Sequence, residues 1–286
     1  MLESSSRRAG PTLHRIAAPD TLREAWRRVR ANKGGPGRDG VTLETFAQTL
    51  DGRIAALSAA LLRETYKPGK LLRIAIAKPN GGRRQLAIPN VVDRLAQTAA
   101  LVVLGPELDR RMSTASFAYR PKRSVADAIA AVEAAFAAGL VWTLDADLDK
   151  FFDRIAHRRL LDELAIWIEE DGVLRLFMSW LRTFSMWGRG IAQGSPVSPL
   201  LANLFLHPLD RLAAAHGVVM VRYADDFVAL AARKGTLEET QKMIVDVLQR
   251  RGLKLNAPKT RVVPPGQPFV FLGRSLTAPA STGQRR

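Results

Sequence analysis

The stretch VVMVRYADDFVAL, residues 218–230, places two adjacent aspartates, Asp225 and Asp226, inside a run of apolar residues. Each half is typical of a buried β-strand, so the aspartates should lie at the join of two strands. Two neighbouring carboxylates repel each other unless a cation neutralises them or one takes up a proton. The pair is therefore either a solvated hairpin turn or part of a cation site, and the rest of the chain must distinguish the two.

A second acidic stretch, VWTLDADLDKFFDRI at residues 141–155, supplies a candidate partner for the pair. Asp145 and Asp147 alternate along an apolar strand that leads into a short, aromatic-rich turn. If this strand lies beside the 218–224 strand, Asp147 faces Asp225 across the sheet. Phosphoryl transfer by two metal ions requires acidic ligands of this kind. Together, the two stretches favour a cation site over a pair of solvated loops.

The composition restricts which cation could bind. The 286 residues include no cysteine and only four histidines, none of which are paired at zinc-ligand spacing. Disulfides and thiolate metal sites are therefore excluded. Any ligands should be oxygens, which are typical of Mg²⁺ or Mn²⁺ sites.

The charge indicates the kind of partner. The formal net charge is +16 and the pI is near 11.0. Residues 61–90 hold seven cations against one acid, and residues 250–286 hold eight cations and no acid. Such clusters favour nucleic acid over an anionic membrane surface, because no amphipathic helix gathers them on one face. The chain has no apolar run of about 18 residues and no signal-peptide core, so we expect a cytoplasmic protein without membrane contact.

The pattern of elements predicts an α+β fold with a mainly antiparallel sheet, because strands and helices mix without regular alternation. Residues 1–20 resemble a flexible basic tail, and a basic helix is expected over 21–31. A second helix is predicted from Thr42 to about Arg63. The basic stretch LLRIAIAKPNGGRRQLAI, 71–88, has the pattern of a β-hairpin. Further helices are predicted over 91–110, 124–138, 172–184 and 236–251, and from about His157 and Ser198, with short strands closing the chain.

The motifs, taken in order, resemble those of a reverse transcriptase of the bacterial group II intron type, including its CRISPR-associated relatives. The similarity extends from about residue 35 to 275 and rests on motifs in the order typical of that family. These are GRDGVT (37–42), KPNGGRRQLAIPNVVDRLAQ (78–97), SFAYRPKRSVADAI (116–129), DADLDKFFD (145–153), AQGSPVSPLLANLFL (192–206), YADD (223–226), GLKLNAPKT (252–260) and FLG (271–273).

This resemblance implies a right-hand polymerase with fingers and palm, and with a mainly antiparallel palm sheet. The thumb is expected to be absent, since only about a dozen residues follow FLG. The implied ranges are a basic flexible tail at 1–20, fingers at 21–96 and 157–192, palm at 97–156 and 193–276, and a flexible C-terminal tail at 277–286. The implied partners are an RNA template, a DNA or RNA primer and dNTPs. A protein or RNA partner could supply the missing thumb or maturase function.

The resemblance also implies a metal site. Asp147, Asp225 and Asp226 would be the acidic ligands, and the backbone carbonyl of Leu148 would complete the sphere of one of two Mg²⁺ ions, with Mn²⁺ as a possible substitute. Phe152 occupies the position of the steric gate that selects dNTPs over rNTPs. Of the neighbouring phenylalanines, one is expected only to pack in the core.

Further residues are implied to contact the nucleotide. Lys78 and Arg84 lie where the fingers of the family grip the triphosphate. Gln193 and Gly194 belong to the motif that contacts the incoming nucleotide and the template base. Lys259 matches the lysine proposed to protonate the leaving pyrophosphate, although an exposed phosphate contact is an alternative role.

Two main hypotheses of function follow. The first is an RNA-directed DNA polymerase from a bacterial retroelement, a CRISPR spacer-acquisition system or a defence system. The second is an RNA-binding, maturase-like or defence module that keeps the polymerase fold without templated synthesis. The three intact acids favour the first. An RNA-dependent RNA polymerase is a third hypothesis, and Phe152 argues against it.

Overall fold

The structure, a computed structural model, describes residues 13–77, 81–214 and 216–280. Helices and strands alternate irregularly along the described chain. The helices are α1 (Leu13–Ala17), α2 (Pro19–Ala31), α3 (Leu43–Gln48), α4 (Leu50–Leu62), α5 (Val91–Arg111), α6 (Val125–Ala137), α7 (Phe151–Arg154), α8 (His157–Trp167), α9 (Asp171–Phe184), α10 (Ser198–Ala214) and α11 (Lys234–Arg250). The strands are β1 (Leu72–Ala77), β2 (Arg83–Ile88), β3 (Trp142–Asp147), β4 (Val219–Tyr223), β5 (Asp226–Ala231), β6 (Arg261–Val263), β7 (Pro268–Phe271) and β8 (Arg274–Thr277).

The strands form antiparallel sheets, so the predicted α+β class is confirmed. Strands β1 and β2 form one hairpin, β7 and β8 form another, and the four-stranded sheet has the order β4-β5-β3-β6. The predicted neighbour of the acidic strand was wrong: β3 pairs with β5, and β4 lies beyond β5 at the sheet edge. Because β4 and β5 form a tight hairpin, only one of them can lie next to β3 in a single layer.

The chain divides into two compact units. One comprises Met1–Arg110 and His157–Ser198, and the other Arg111–Ala156 and Pro199–Arg286. The break before residue 157 coincides with the one inferred from the motifs, whereas the other two breaks lie later in the chain than residues 97 and 193. In particular, α5 runs without interruption through residue 97, where a boundary was expected.

The second unit contains the four-stranded sheet. One face of the sheet packs against α6 and the β7–β8 hairpin, with Val221, Val228, Phe269 and Phe271 among the buried side chains. Helix α6 begins with a capping box in which Ser124 and Asp127 bond each other's backbone N–H, as its sequence predicted. Successive residues of a strand point to opposite faces, so Arg222 lies on the face away from α6.

The first unit contains the β1–β2 hairpin and a helical core. Trp26 of α2 stacks on Phe46 of α3 with ring centroids 5.2 Å apart. A second group joins two helices and the segment between α4 and β1: Tyr66 donates to Asp93 of α5 at 2.6 Å, and the indole of Trp180 in α9 donates to the Tyr66 hydroxyl at 3.3 Å. Burial raises the pKa of Asp93 even though Tyr66 and the Gly69 backbone donate to it.

The predicted tails were wrong where the structure describes them. Residues 13–17 form α1, with Leu13, Ile16 and Ala17 buried, and Pro19 starts α2 at the first helical position that suits proline. At the other end, Thr277 closes β8 and Ala278 is buried, its carbonyl accepting from the Gly266 N–H. Composition did not predict the short helix α1, because its apolar residues are interspersed with basic and small ones. The rest of both predicted tails lies outside the described residues.

Another element differs from its predicted form. The helix expected from Thr42 to Arg63 is two helices, because Thr49 leaves the helical region (φ −125°, ψ 32°) between α3 and α4. Thr42 caps α3 by accepting from the Thr45 N–H. In the part of the chain that the structure describes, no helix is both long and apolar enough to cross a bilayer.

Candidate active site

The turn between β4 and β5 is the feature on which the site is built. Tyr223 pairs with Asp226, so Ala224 and Asp225 form a two-residue hairpin turn. Ala224 has φ +61°, a conformation that residues with a side chain rarely adopt. The Arg222 guanidinium donates to the Ala224 carbonyl at 2.9 Å. The strained turn is therefore supported from within the protein.

Arg222 itself belongs to a buried network. Its side chain is fully buried and donates two bonds of 2.6 Å to the carboxylate of Asp210 in α10. A further bond of 3.1 Å reaches Asn203, whose amide in turn donates to the Ala118 carbonyl at 2.8 Å. A buried ion pair with all its hydrogen bonds made fixes geometry, because any displacement leaves a charge unpaired. The network thus ties the aspartate turn to α10.

The acidic residues of the two strands meet at one end of the sheet. Asp147, the last residue of β3, is in register with Asp226, the first residue of β5. The Leu148 N–H donates to the Asp225 carbonyl at 3.2 Å, which brings the turn beside the end of β3. Asp145 lies two residues before Asp147 and so shares its face. The structure therefore brings together the three acids that the sequence singled out, although Asp147 faces Asp226 instead of Asp225.

Basic and amide groups on the segment before β6 and at the start of β6 bond these acids. The Lys259 ammonium donates to Oδ2 of Asp147 at 2.8 Å, and the Asn256 amide donates to the same oxygen at 3.1 Å. The Asn256 backbone N–H also donates to the Asp147 carbonyl at 2.7 Å. Arg261 donates to Asp145 at 3.2 Å. Each of the two β3 acids thus has a cation from the neighbouring strand region.

The electrostatics of the site centre on Asp226. Burial raises its pKa to about 7, and the negative charges of Asp147, Asp145 and Asp225 add to the shift. Burial also raises the pKa of Asp145, against the opposing effect of Arg261. The pKa of Lys259 is raised by its hydrogen bond to Asp147, so the ammonium keeps its proton. The cluster carries more negative charge than its own cations compensate.

The acids fit a hard divalent cation in chemistry. Among the described residues, no three acidic or histidine side chains are arranged closely enough to hold a metal ion. Asp147 directs Oδ2 to Lys259 and Asn256, so a cation bound there would compete with the ammonium. The donors are nevertheless all carboxylate oxygens, which Mg²⁺ prefers. Burial is the main cause of the raised pKa of Asp226, and a bound cation would offset the smaller contribution from the neighbouring carboxylates.

The two phenylalanines after β3 have different surroundings. Phe151 is fully buried, whereas Phe152 is partly exposed, and their rings meet edge to face at 5.3 Å. Lys150, at φ +49°, turns the chain from the end of β3 into α7. Phe151 is therefore the member that packs in the core. Phe152 remains partly exposed and belongs to the same unit as Asp147.

The residues expected to contact the nucleotide from the fingers lie in the first unit. Arg84 is exposed on β2, opposite Ile76 of β1. The Gln193 carbonyl accepts from the Ala87 N–H at 2.7 Å, which anchors the hairpin. Gly194 has φ +112°, and a Cβ there would lie 3.2 Å from the Ala87 carbonyl. Gly194 is thus required by the backbone contact with β2. Lys78 lies outside the described residues.

Sequence reasoning missed three residues that the structure places around the acids: Arg222, Asn256 and Arg261. Arg222 had a signal, because a lone arginine inside an apolar strand needs a buried partner. The other two had none, since Asn256 and Arg261 reach the acids only through the pairing of β6 with β3.

With the acidic sheet end in place, comparison with known proteins identifies the family. The family described as reverse transcriptase (RNA-dependent DNA polymerase) matches residues 76–276. The chain belongs to this family, which is one of nucleotide-polymerising enzymes. The predicted family and enzyme class are confirmed.

Its relatives indicate the branch. Protein YkfC of Escherichia coli (strain K12) is 29% identical, over 92% of this chain and 82% of that protein. The group II intron-encoded protein LtrA of Lactococcus lactis subsp. cremoris is 29% identical, over 68% of this chain and 34% of LtrA. A chain of a solved partial Cas6-RT-Cas1–Cas2 complex is 26% identical with a TM-score of 0.50, covering 84% of this chain and 43% of that one. The chain thus spans about a third of LtrA and less than half of the Cas6-RT-Cas1 chain. The predicted group II intron and CRISPR-associated relatives are confirmed.

Proposed function

We propose that the protein adds dNTPs to the 3′ end of a primer on an RNA or DNA template, by two-metal-ion nucleotidyl transfer. The unit with the four-stranded sheet would act as the palm, and the unit with the basic β1–β2 hairpin as the fingers. The observation that carries the proposal is the register of Asp147 with Asp226, next to the Asp225 turn. Reverse transcriptases use divalent metals such as Mg²⁺, and the pairing of Asp147 with Asp226 supports the proposal that these acids are among the ligands.

In this proposal Asp147, Asp225 and Asp226 hold two Mg²⁺ ions, with the Leu148 carbonyl as a further ligand. Metal ions held by these residues would lower the pKa of the primer hydroxyl and neutralise charge on the departing pyrophosphate. The chain's own groups do the rest. Asn256 orients Asp147 through the 3.1 Å bond, and Lys259 carries a proton beside it that the pyrophosphate can accept.

Selection of the nucleotide rests on Phe152, Arg84, Gln193 and Lys78. The partly exposed ring of Phe152 would clash with a ribose 2′-hydroxyl. Arg84 would hold the triphosphate by charge-assisted hydrogen bonds, with Lys78 as its partner in the fingers. Gln193 and Gly194 would contact the nucleotide and the template base.

The setting we propose is a bacterial retroelement, CRISPR spacer acquisition or defence system, with a cytoplasmic location. The support is the likeness to LtrA and to a Cas6-RT-Cas1 chain. A protein or RNA partner would complete the grip on the duplex.

Primer extension on poly(rA)/oligo(dT) with dTTP and Mg²⁺ or Mn²⁺ tests the proposal. We expect Asp225→Asn to lower incorporation by at least about 10³-fold, because the site loses several kcal/mol of charge stabilisation. Asp246→Asn is the matched control, since Asp246 is an exposed α11 acid paired with Arg250. Equal incorporation by Asp225→Asn and the parent would refute the catalytic assignment.

A second assay tests the gate. Phe152→Ala should raise the use of rNTPs relative to dNTPs by about 10–100-fold, because the ring no longer excludes the 2′-hydroxyl. Parent protein that uses rNTPs as readily as dNTPs would exclude this role. RNA binding without any synthesis would instead favour the maturase-like alternative.

A further inference from the structure

The loop after α9 exposes two large apolar side chains. Met186 is 91% exposed and Trp187 is 88% exposed, more than any other large apolar side chain among the described residues. A tryptophan normally buries most of its large surface, so its exposure at a loop tip needs a reason. Neither residue takes part in the proposed catalytic chemistry.

The loop is held in place at several points. The His157 N–H donates to the Gly188 carbonyl at 2.9 Å, and its Nε2 bonds the Gly190 carbonyl at 2.7 Å. On the other side, Arg73 of β1 donates to the Phe184 carbonyl at 2.5 Å. These bonds fix the backbone on both sides of Trp187 and leave its ring in solvent. Burial lowers the pKa of His157, so this support does not require a charged imidazole.

The surroundings of the loop are positively charged. No acid occurs between Asp171 and Asp210, whereas Arg182 and Arg189 flank the exposed pair. Two further exposed arginines, Arg158 and Arg159, follow His157 in the first turn of α8. No ion pair joins these four arginines to an acid within the residues that the structure describes. An aromatic ring among unpaired arginines is the pattern of a platform for single-stranded nucleic acid.

We infer that Trp187 and the surrounding arginines, Arg158, Arg159, Arg182 and Arg189, form a binding surface for single-stranded RNA. A base stacks on the Trp187 ring, and Met186 packs against the same strand. The arginines contact the phosphates on either side. The surface lies wholly in the first unit. The inference rests on the proposed function in that the strand held here is the template.

Equilibrium binding of a fluorescein-labelled oligoadenylate to the full chain tests the inference. The measurement is made in EDTA, so that it does not depend on polymerisation, and is repeated over about 50–200 mM salt. We expect Trp187→Ala to weaken binding by about 5–150-fold at every salt concentration, because one base loses its stacking partner. Trp187→Phe should keep most of the affinity.

The arginines have a different expected signature. Arg189→Ala should reduce the slope of log Kd against log salt by about 0.7, because one phosphate contact is lost. Ile166→Ala is the matched control: its side chain is 67% exposed on α8 of the same unit. This variant should bind as the parent does. Trp187 is exposed, so its replacement should leave the unfolding midpoint unchanged.

Cross-linking locates the contact. Oligonucleotides carrying 5-iodouridine should cross-link to Trp187, as identified by mass spectrometry. Unchanged affinity of Trp187→Ala, or an equal loss in Ile166→Ala, would overturn the inference and leave a protein partner as the better occupant.

The two proposals can fail separately. Parent protein that fails to extend a primer, while Trp187→Ala still weakens RNA binding, would refute the polymerase and retain this surface. Normal primer extension by the parent, together with unchanged RNA binding by Trp187→Ala, would refute this surface and retain the polymerase.

Discussion

The two hairpins β1–β2 and β4–β5 are of similar length but opposite in surroundings. In β1 and β2 nearly every residue is exposed or partly so, and arginines line the strands. In β4 and β5 most residues are buried, and acids stand at the turn. The first pair forms a sheet by itself, whereas the second is half of a four-stranded sheet.

This difference assigns each hairpin a mechanical role. A two-stranded hairpin is only marginally stable alone, so β1–β2 depends on its anchors at Gln193 and Phe184. The β4–β5 hairpin is fixed by neighbouring strands and by the buried Arg222–Asp210 pair, which suits a turn that must hold carboxylates in one geometry.

Breaking the buried pair should give the largest effect. Arg222→Met should lower the free energy of unfolding by about 3–5 kcal/mol, because it leaves Asp210 charged and buried without its partner. Chemical denaturation measures the loss. Arg175→Met is the control: it breaks a bidentate pair with Glu64 that is exposed to solvent, and its effect should be much smaller.

The double variant Arg222→Met/Asp210→Leu removes both buried charges and should recover much of the loss. It also keeps the prediction testable if Arg222→Met fails to fold. An Arg222→Met protein as stable as the parent would show that the pair does not fix the acidic hairpin.

Removing the charge of Asp226 from the same hairpin should instead stabilise the protein. The folded pKa of Asp226, about 7, lies above its ordinary value of 3.8. Its contribution to stability is therefore complete below pH 3.8 and is lost as the pH rises through 7. In EDTA, Asp226→Asn should exceed the parent in stability by on the order of 2–4 kcal/mol at pH 8, and by little at pH 4.

Asp127→Asn should give the opposite dependence of stability on pH. Hydrogen bonds from Ser124 lower the pKa of Asp127, so its contribution is present above its ordinary pKa and is lost as the pH falls. Denaturation curves measured across the pH range would contradict this account if the stabilities of both variants, relative to the parent, changed with pH in the same direction.

The anchor of the exposed hairpin is tested at Gly194. Gly194→Ala should destabilise the protein by about 1–2 kcal/mol, because φ +112° strains alanine and its Cβ would press on the Ala87 carbonyl. Gly235→Ala is the control, as Gly235 lies in α11 with open space around it. Thermal unfolding should show a lower midpoint for the first variant alone, and equal midpoints would remove Gly194 from the anchor.

The smallest effect is expected at the tip of that hairpin. Arg83 and Arg84 are successive residues of β2 and point to opposite faces. If Arg84 grips the triphosphate, Arg84→Ala should raise the KM for dTTP by about 10-fold, since a charge-assisted contact is lost. Arg83→Ala should change KM little. Similar KM values for both variants in steady-state primer extension would mean that the hairpin attracts nucleotides only through its general charge.

Much of the fold could be predicted because it depends on local sequence patterns. The apolar runs around Asp225 and Asp226 predicted the β4–β5 hairpin, and Ser124 with Asp127 predicted the start of α6. Helix α1 was missed, since its five residues are too short for a periodic signal and are stabilised by burial of Leu13 and Ile16.

The candidate site was predicted only in part. The identities of Asp147, Asp225 and Asp226 followed from the motifs, and their meeting at one sheet end followed from the strand pattern. Lys259 also followed from the motifs, but its bond to Asp147 and the role of Asn256 did not, because both reach Asp147 from 109 or more residues away in sequence.

The sequence by itself determined the family, the acidic and basic character of the two hairpins, and which residue types could bind a cation. Periodicity, charge and motif order are properties of the linear chain. Only the tertiary structure decided that β5 lies between β4 and β3, that Asp147 therefore faces Asp226, and that Arg222 supports the turn from behind. Strand order and buried pairing depend on which distant segments pack together, and local pattern carries little of that information.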